Sequence, residues 1–285
     1  MIGLLLATPM VAQSSEPAWL TIERAERAAV AGDFGRAIQL YRRALTLEPG
    51  SPEAEFGLAR AFTAVNDYPV AEVHFRNALA AQSRLRVPDT AFEIHYGLAD
   101  LYRVQRRFAD YENELKAILA LAPEPEITPS TLRRVLTDQG LDRLLVLYRL
   151  PEDGTTRARD ELAELLVGLG RYEGAIEQAL VAVVQQLSTV INGILNQDPD
   201  FVYDRIDRAV AAAHSVRPVQ GYLQTSTLDK DLYYLAAALF GQGAEESALE
   251  TWRVVAGLPG SGAWARRASI QLEDPEPEPL IVDSQ

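Results

Sequence analysis

The chain has 285 residues, 48% of them hydrophobic and 24% charged, which is enough apolar matter to bury a core and too much for a disordered polymer. Its 27 basic and 40 acidic side chains leave a formal charge of −13, a balance that repels phosphate polymers and argues against nucleic acid as a partner. With no cysteine, disulfides, thiolate metal sites, cysteine nucleophiles and a lipid-modified N-terminal cysteine are all excluded.

Residues 1–13 read MIGLLLATPMVAQ, an uncharged apolar run of signal-peptide length that leads into Ser14 and Ser15. The expectation is a signal peptide over 1–15 and export to the periplasm or envelope. Because no Lys or Arg precedes the run and Pro9 interrupts it, a short helix packing on the next element is the competing reading, and it would leave the protein cytoplasmic. Thirteen apolar residues fall short of the roughly 20 that span a bilayer, so no transmembrane segment is expected.

Residues 18–49 read AWLTIERAERAAVAGDFGRAIQLYRRALTLEP. Gly32 sits between two amphipathic stretches, with Ala25, Ala37 and Ala44 as small residues, Tyr41 as an aromatic and Pro49 at the end. This segment resembles a tetratricopeptide repeat, whose 34 residues form two antiparallel helices with small side chains at positions 8, 20 and 27, a turn near 15 and proline at 32. Thirty-four residues on, Ala59, Phe62, Asn66, Ala71, Phe75 and Ala78 mark a second copy. A third starts near Phe92, delayed by six residues that include Arg86, Val87 and Pro88, and carries Leu98, Ala99 and Tyr102, but Tyr111 and Ile118 stand where alanine is expected. A fourth runs from Thr156 through Leu162, Ala163, Leu166, Gly170, Tyr172, Ala175 and Ala182, and a fifth from Asp229 through Leu235, Ala236, Leu239, Gly243, Ala248, Trp252 and Val255. Twelve of the fifteen small positions are Ala in a chain with 41 alanines in all, as expected where helix axes cross at the short end of the usual 8–10 Å. The implied fold is an all-α, right-handed superhelical solenoid of tetratricopeptide-like helix hairpins with irregular helical insertions.

The domain plan that follows is three repeats over 18–123, a helical connector over 124–155, and repeats four and five with a capping helix over 156–272. In the connector, Ser130 or Thr131 is the expected helix cap and Gly140 the break between two short helices. Its Arg133, Arg134, Arg143 and Arg149, with Arg157 and Arg159 beyond, read as a solvated face paired with nearby carboxylates, or as a docking patch for an acidic segment such as the chain's own tail. Inserted helices occupy 185–227. The stretch 178–197 is charge-free, and Leu180, Val184, Leu187, Ile191 and Ile194 repeat at 4-3-4-3 spacing. Residues 201–214 are expected to fold back over this seam, with self-association through it as the alternative. Residues 273–285 carry five acids, three prolines and no base, so a disordered acidic tail is expected.

The resemblance implies a non-enzymatic scaffold that grips a peptide or protein partner, of unspecified identity, on a concave face made by the first helix of each repeat. On that register the groove is Trp19, Ile22 and Glu26, then Phe56 and Arg60, then Glu93, Tyr96, Asp100 and Arg103. One subset of the family clamps a C-terminal carboxylate. The corresponding Ile22, Glu26, Gly57, Glu93 and Gly97 offer no donor, so that recognition is disfavoured. No catalytic motif, cofactor fingerprint or metal-ligand spacing is present; His74, His95 and His214 contain no i, i+4 pair. The alternative function is an accessory part of an envelope transport or assembly system, holding an apolar ligand or lipid against residues 178–197.

Overall fold

The computed structural model describes residues 16–123 and 127–281; the signal-peptide expectation lies outside them. Among the described residues the regular structure is helical throughout, with fourteen α-helices and a single 3₁₀ turn. Two compact units divide after Tyr111.

The first unit holds α1 (Ala18–Val30), α2 (Phe34–Leu47), α3 (Pro52–Ala64), α4 (Tyr68–Ala80) and α5 (Thr90–Val104), and the division falls inside α6 (Phe108–Leu121). Helices α1 and α2, then α3 and α4, pair as hairpins, and α2 packs on α3 as α4 does on α5. Asp33 caps α2 by accepting the backbone N–H of Arg36 at 3.0 Å, and the 3₁₀ turn Gln82–Arg84 takes up the delay before the third repeat. The glycines of α3 and α5 fix the stacking distance. A Cβ on Gly57 would lie 2.2 Å from the Tyr41 ring, and one on Gly97 would lie 2.4 Å from the Phe75 ring, so each ring of one hairpin rests directly on the next hairpin's backbone.

The second unit holds α7 (Pro129–Leu147), α8 (Thr156–Gly168), α9 (Tyr172–Leu195), α10 (Ile206–Ala213), α11 (Arg217–Thr225), α12 (Leu228–Gly241), α13 (Glu245–Gly257) and α14 (Gly262–Glu273). Gly140, at φ 78°, breaks α7 into two pieces. The cap of α7 is Thr128, whose hydroxyl accepts the Thr131 N–H at 3.3 Å, rather than Ser130 or Thr131; Pro129 fills the first helical position, where a missing N–H costs nothing. Helices α8 and α9, then α12 and α13, pair as hairpins where repeats four and five are expected, and α14 packs on α13.

The fifteen small positions are all buried, and none is more than 5% accessible, including Tyr111 and Ile118. By length and composition α9 would pass for a membrane span, but it lies mostly inside the unit, in contact with α7, α8, α10, α11 and α12. Leu180, Val184, Leu187, Ile191 and Ile194 are each at most 2% accessible. Self-association through these side chains is therefore corrected: the chain's own helices, α10 among them, already cover the seam.

The acidic tail is a second correction. Residues 274–281 are not loose but lie against the second unit, where Glu276 N–H donates to Gln271 Oε1 at 2.9 Å and Ile281 N–H donates to the Gly168 carbonyl at 2.6 Å. Net composition misleads here because one residue, Glu278, finds a cation in Arg267. Residues 282–285 are outside the described part.

Candidate protein-interaction surfaces

Along the first helices of the first unit, Trp19 is 51% accessible and Glu26, Arg60, Glu93 and Arg103 are exposed, while Phe56, Tyr96 and Asp100 are half-buried. Ile22 is 5% accessible; it shares the buried stripe of α1 with Thr21, Ala25 and Ala28 and adds packing rather than surface. The Arg60 guanidinium lies 5.6 Å over the Phe56 ring, and Phe56 in turn meets Phe75 at 6.1 Å between centroids. Arg103 pairs with Asp100 at 3.1 Å. Such a face offers flat aromatic area beside both signs of charge.

A charged network ties α4 to α5 and the turn after it. Glu72 accepts from Arg107 Nη1 at 2.8 Å and from the Tyr102 hydroxyl at 3.1 Å, and pairs with Arg76 at 2.6 Å. Burial alone would raise its pKa, but these donors outweigh burial and hold the Glu72 carboxyl below its ordinary value. His74 joins α4 to α3 instead, stacked on Phe62 at 5.5 Å and 2.6 Å from Glu55.

In the second unit the same repeat register gives Arg157, Asp160, Glu164 and Gly168 on α8, and Lys230, Tyr233, Ala237 and Gly241 on α12. Sequence reasoning did not carry the register this far. Lys230 bridges Asp160 at 3.1 Å and Glu164 at 2.6 Å, and the Tyr234 hydroxyl donates to Glu164 at 3.1 Å. Asp231 is buried at 1% accessibility and accepts from the Thr227 hydroxyl at 3.0 Å and from Gln186. Burial first, and the neighbouring Asp160 charge second, push the Asp231 carboxyl well above the usual range, so it stays protonated where most carboxyls ionise. This carboxyl pair is a core feature carried by two helices.

Four of the six connector and α8 arginines are engaged within the unit: Arg133 with Glu173, Arg149 over the Tyr203 ring, Arg157 with Glu161, and Arg159 with Gln178. The tail goes elsewhere, to an aromatic cluster. The Arg267 guanidinium lies 4.5 Å from the Tyr233 ring centroid and 4.8 Å from that of Trp264, and donates to both carboxylate oxygens of Glu278 at 3.0 Å. His214, at the end of α10, borders a small pocket with Val210, Leu228 and Leu258. Among the described residues no group of three or more His, Cys, Asp or Glu side chains is arranged to hold a metal ion.

Antiparallel helix hairpins with alanine at twelve of the fifteen crossing positions define an all-α repeat protein. The sequence model of the Tetratricopeptide repeat family matches residues 29–84, from the end of α1 to the 3₁₀ turn, so the chain carries tetratricopeptide-repeat sequence over that stretch. An uncharacterized protein of Treponema pallidum (strain Nichols) is 24% identical over 230 residues, covering 78% of this chain and 61% of that relative, so the chain spans less than two thirds of the relative's length. Among solved structures, the crystal structure of YrrB, described as a TPR protein with an unusual peptide-binding site, superposes with a TM-score of 0.52 at 16% identity over 90% of this chain and 94% of that one. At that identity the likeness is one of fold.

Proposed function

We propose that the chain is a non-enzymatic interaction scaffold whose first unit captures an extended or helical peptide from a protein partner on the face made by α1, α3 and α5. Tetratricopeptide repeats imply protein–protein contact in general; the choice of face rests on one observation. Trp19, at 51% accessibility, and the half-buried Phe56 and Tyr96 lie on successive first helices, a row of aromatic anchors with Glu26, Arg60, Glu93, Asp100 and Arg103 around them. Rows of this kind suit a ligand with apolar anchors and a basic residue between them. The peptide-binding site named for YrrB agrees with this use of the fold. The apolar run at residues 1–13 supports export to the periplasm or envelope, for which cell fractionation and the mass of the mature N-terminus are the check.

Replacing Phe56 and Tyr96 together by alanine is expected to abolish partner capture from a lysate of the source organism while helical circular dichroism stays intact. Undiminished capture by the double variant would remove this face from consideration.

A further inference from the structure

Residues 274–281 read DPEPEPLI, and prolines at alternate positions keep such a segment extended, so little entropy is lost when it docks. It runs across the first-helix side of the second unit. Glu278 meets α14 and α12: Arg267 Nη2 donates to both its oxygens at 3.0 Å, the buried Tyr233 donates its hydroxyl to the same carboxylate, and the Glu278 side chain keeps only 11% of its accessibility. The guanidinium also lies against the rings of Tyr233 and Trp264, themselves 5.3 Å apart, so aromatic packing as well as the carboxylate fixes its position. Three residues on, Ile281 reaches the end of α8. There the Gly168 carbonyl, one of the last four that a helix leaves without an internal donor, accepts the Ile281 N–H. A Cβ on Gly168 would lie 2.7 Å from the Ile281 side chain, so the aliphatic group occupies room that only glycine leaves. Leu280 lies 3.5 Å from where a Cβ on Gly170 would stand.

These contacts are a carboxylate fork, a main-chain acceptor and an aliphatic seat, at fixed spacing and on the register that faces a ligand in this fold. None of them requires the bound segment to be covalently attached. We propose that the α8–α12–α14 face is a recognition site for an extended peptide with a carboxylate side chain followed two and three positions later by aliphatic residues, and that the chain's own tail is its resident, displaceable occupant. The site is separate from the first unit's aromatic face and recognises opposite charge. Only a few residues join Glu278 to α14, so the tail competes at an effective concentration on the order of millimolar. A partner must present the same pattern at higher affinity or in several copies.

The probe is a fluorescein-labelled synthetic peptide of residues 274–281, amidated at its end, followed by fluorescence anisotropy against the full-length chain. The intact chain is expected to bind it about tenfold or more weakly than a Glu278→Ala/Ile281→Ala variant, whose tail is released. Adding Arg267→Glu to the released variant should remove binding, and a peptide carrying Glu278→Arg should restore it. Gly168→Leu in an otherwise natural chain is a second variant: it should unseat the tail, and light scattering reports whether the tail seats in its own chain. Equal binding by intact and released chains, or no binding by a released chain with native helicity, overturns the proposal. So does a dimer that falls to monomer on release, because the tail would then belong to a second copy. Phe56→Ala/Tyr96→Ala leaves every one of these readings unchanged.

Discussion

Five short links between successive helices carry a residue with positive φ: Gly32 at 78°, Asn66 at 62°, Arg106 at 58°, Gly170 at 68° and Gly243 at 90°. In that region Cβ crowds the carbonyl oxygen at a cost of about 1–2 kcal/mol, which glycine escapes and asparagine partly relieves. Arginine does neither. Arg106→Gly is therefore expected to raise stability by about 0.5–1 kcal/mol, once the greater freedom of glycine in the unfolded chain is subtracted. A lowered thermal midpoint would mean instead that the Arg106 guanidinium, 6.0 Å over Phe108, outweighs the backbone strain. Residue type alone announced the turns at Gly32, Asn66, Gly170 and Gly243; Arg106 carries no such signal, and only the register marks it. Asp231 was illegible for another reason. It reads as one of two acids in the first turn of α12, where a helix favours negative charge, and its partner Asp160 lies on α8, far away in sequence.

Elements were easier to read where one side-chain size decides a contact. Alanines 25, 37, 44, 59, 71 and 78 predicted two hairpins, and each of these residues is at 0% accessibility. Ala59→Leu should overpack the crossing of α3 with its neighbours and cost about 1–3 kcal/mol, read as a shift in urea midpoint at unchanged slope; a neutral result would break the repeat register. The charge-free seam of α9 was legible as an apolar face, but not its covering, since five helices from both sides of it in the chain share that task. The tail shows the opposite limit. Its acids and prolines exclude a packed core of its own, yet docking needs only one carboxylate in the right fork and one aliphatic residue in a glycine-wide seat. Neither Arg267 nor Gly168 stands out in sequence as a receptor, because each gains that role from the helix packed beside it.

For the whole molecule, carboxyls shifted in opposite directions shape stability across pH. Glu72 in the first unit and Glu112 in the second are held below the ordinary carboxylate value, since their cationic neighbours, Arg107 and Arg76 for one and Arg171 and Lys116 for the other, outweigh burial. The stability they add is complete above the unfolded carboxyl pKa and is lost as pH falls through their depressed folded values. Asp231 runs the other way. Its folded pKa is raised by burial and by Asp160, so its contribution is complete below the unfolded value and is lost as pH rises through the folded one. Asp231→Asn keeps the shape, stays neutral at every pH and offers an N–H to the Asp160 carboxylate. Thermal midpoints from acid to mildly alkaline pH should therefore decline less on the alkaline side in Asp231→Asn, with the acid limb unchanged, while Glu72→Gln should lower the midpoint near neutrality and flatten the acid limb. An alkaline limb identical in Asp231→Asn and the natural chain would show that Asp231 is ionised in the core, with Lys230 rather than a proton balancing the pair.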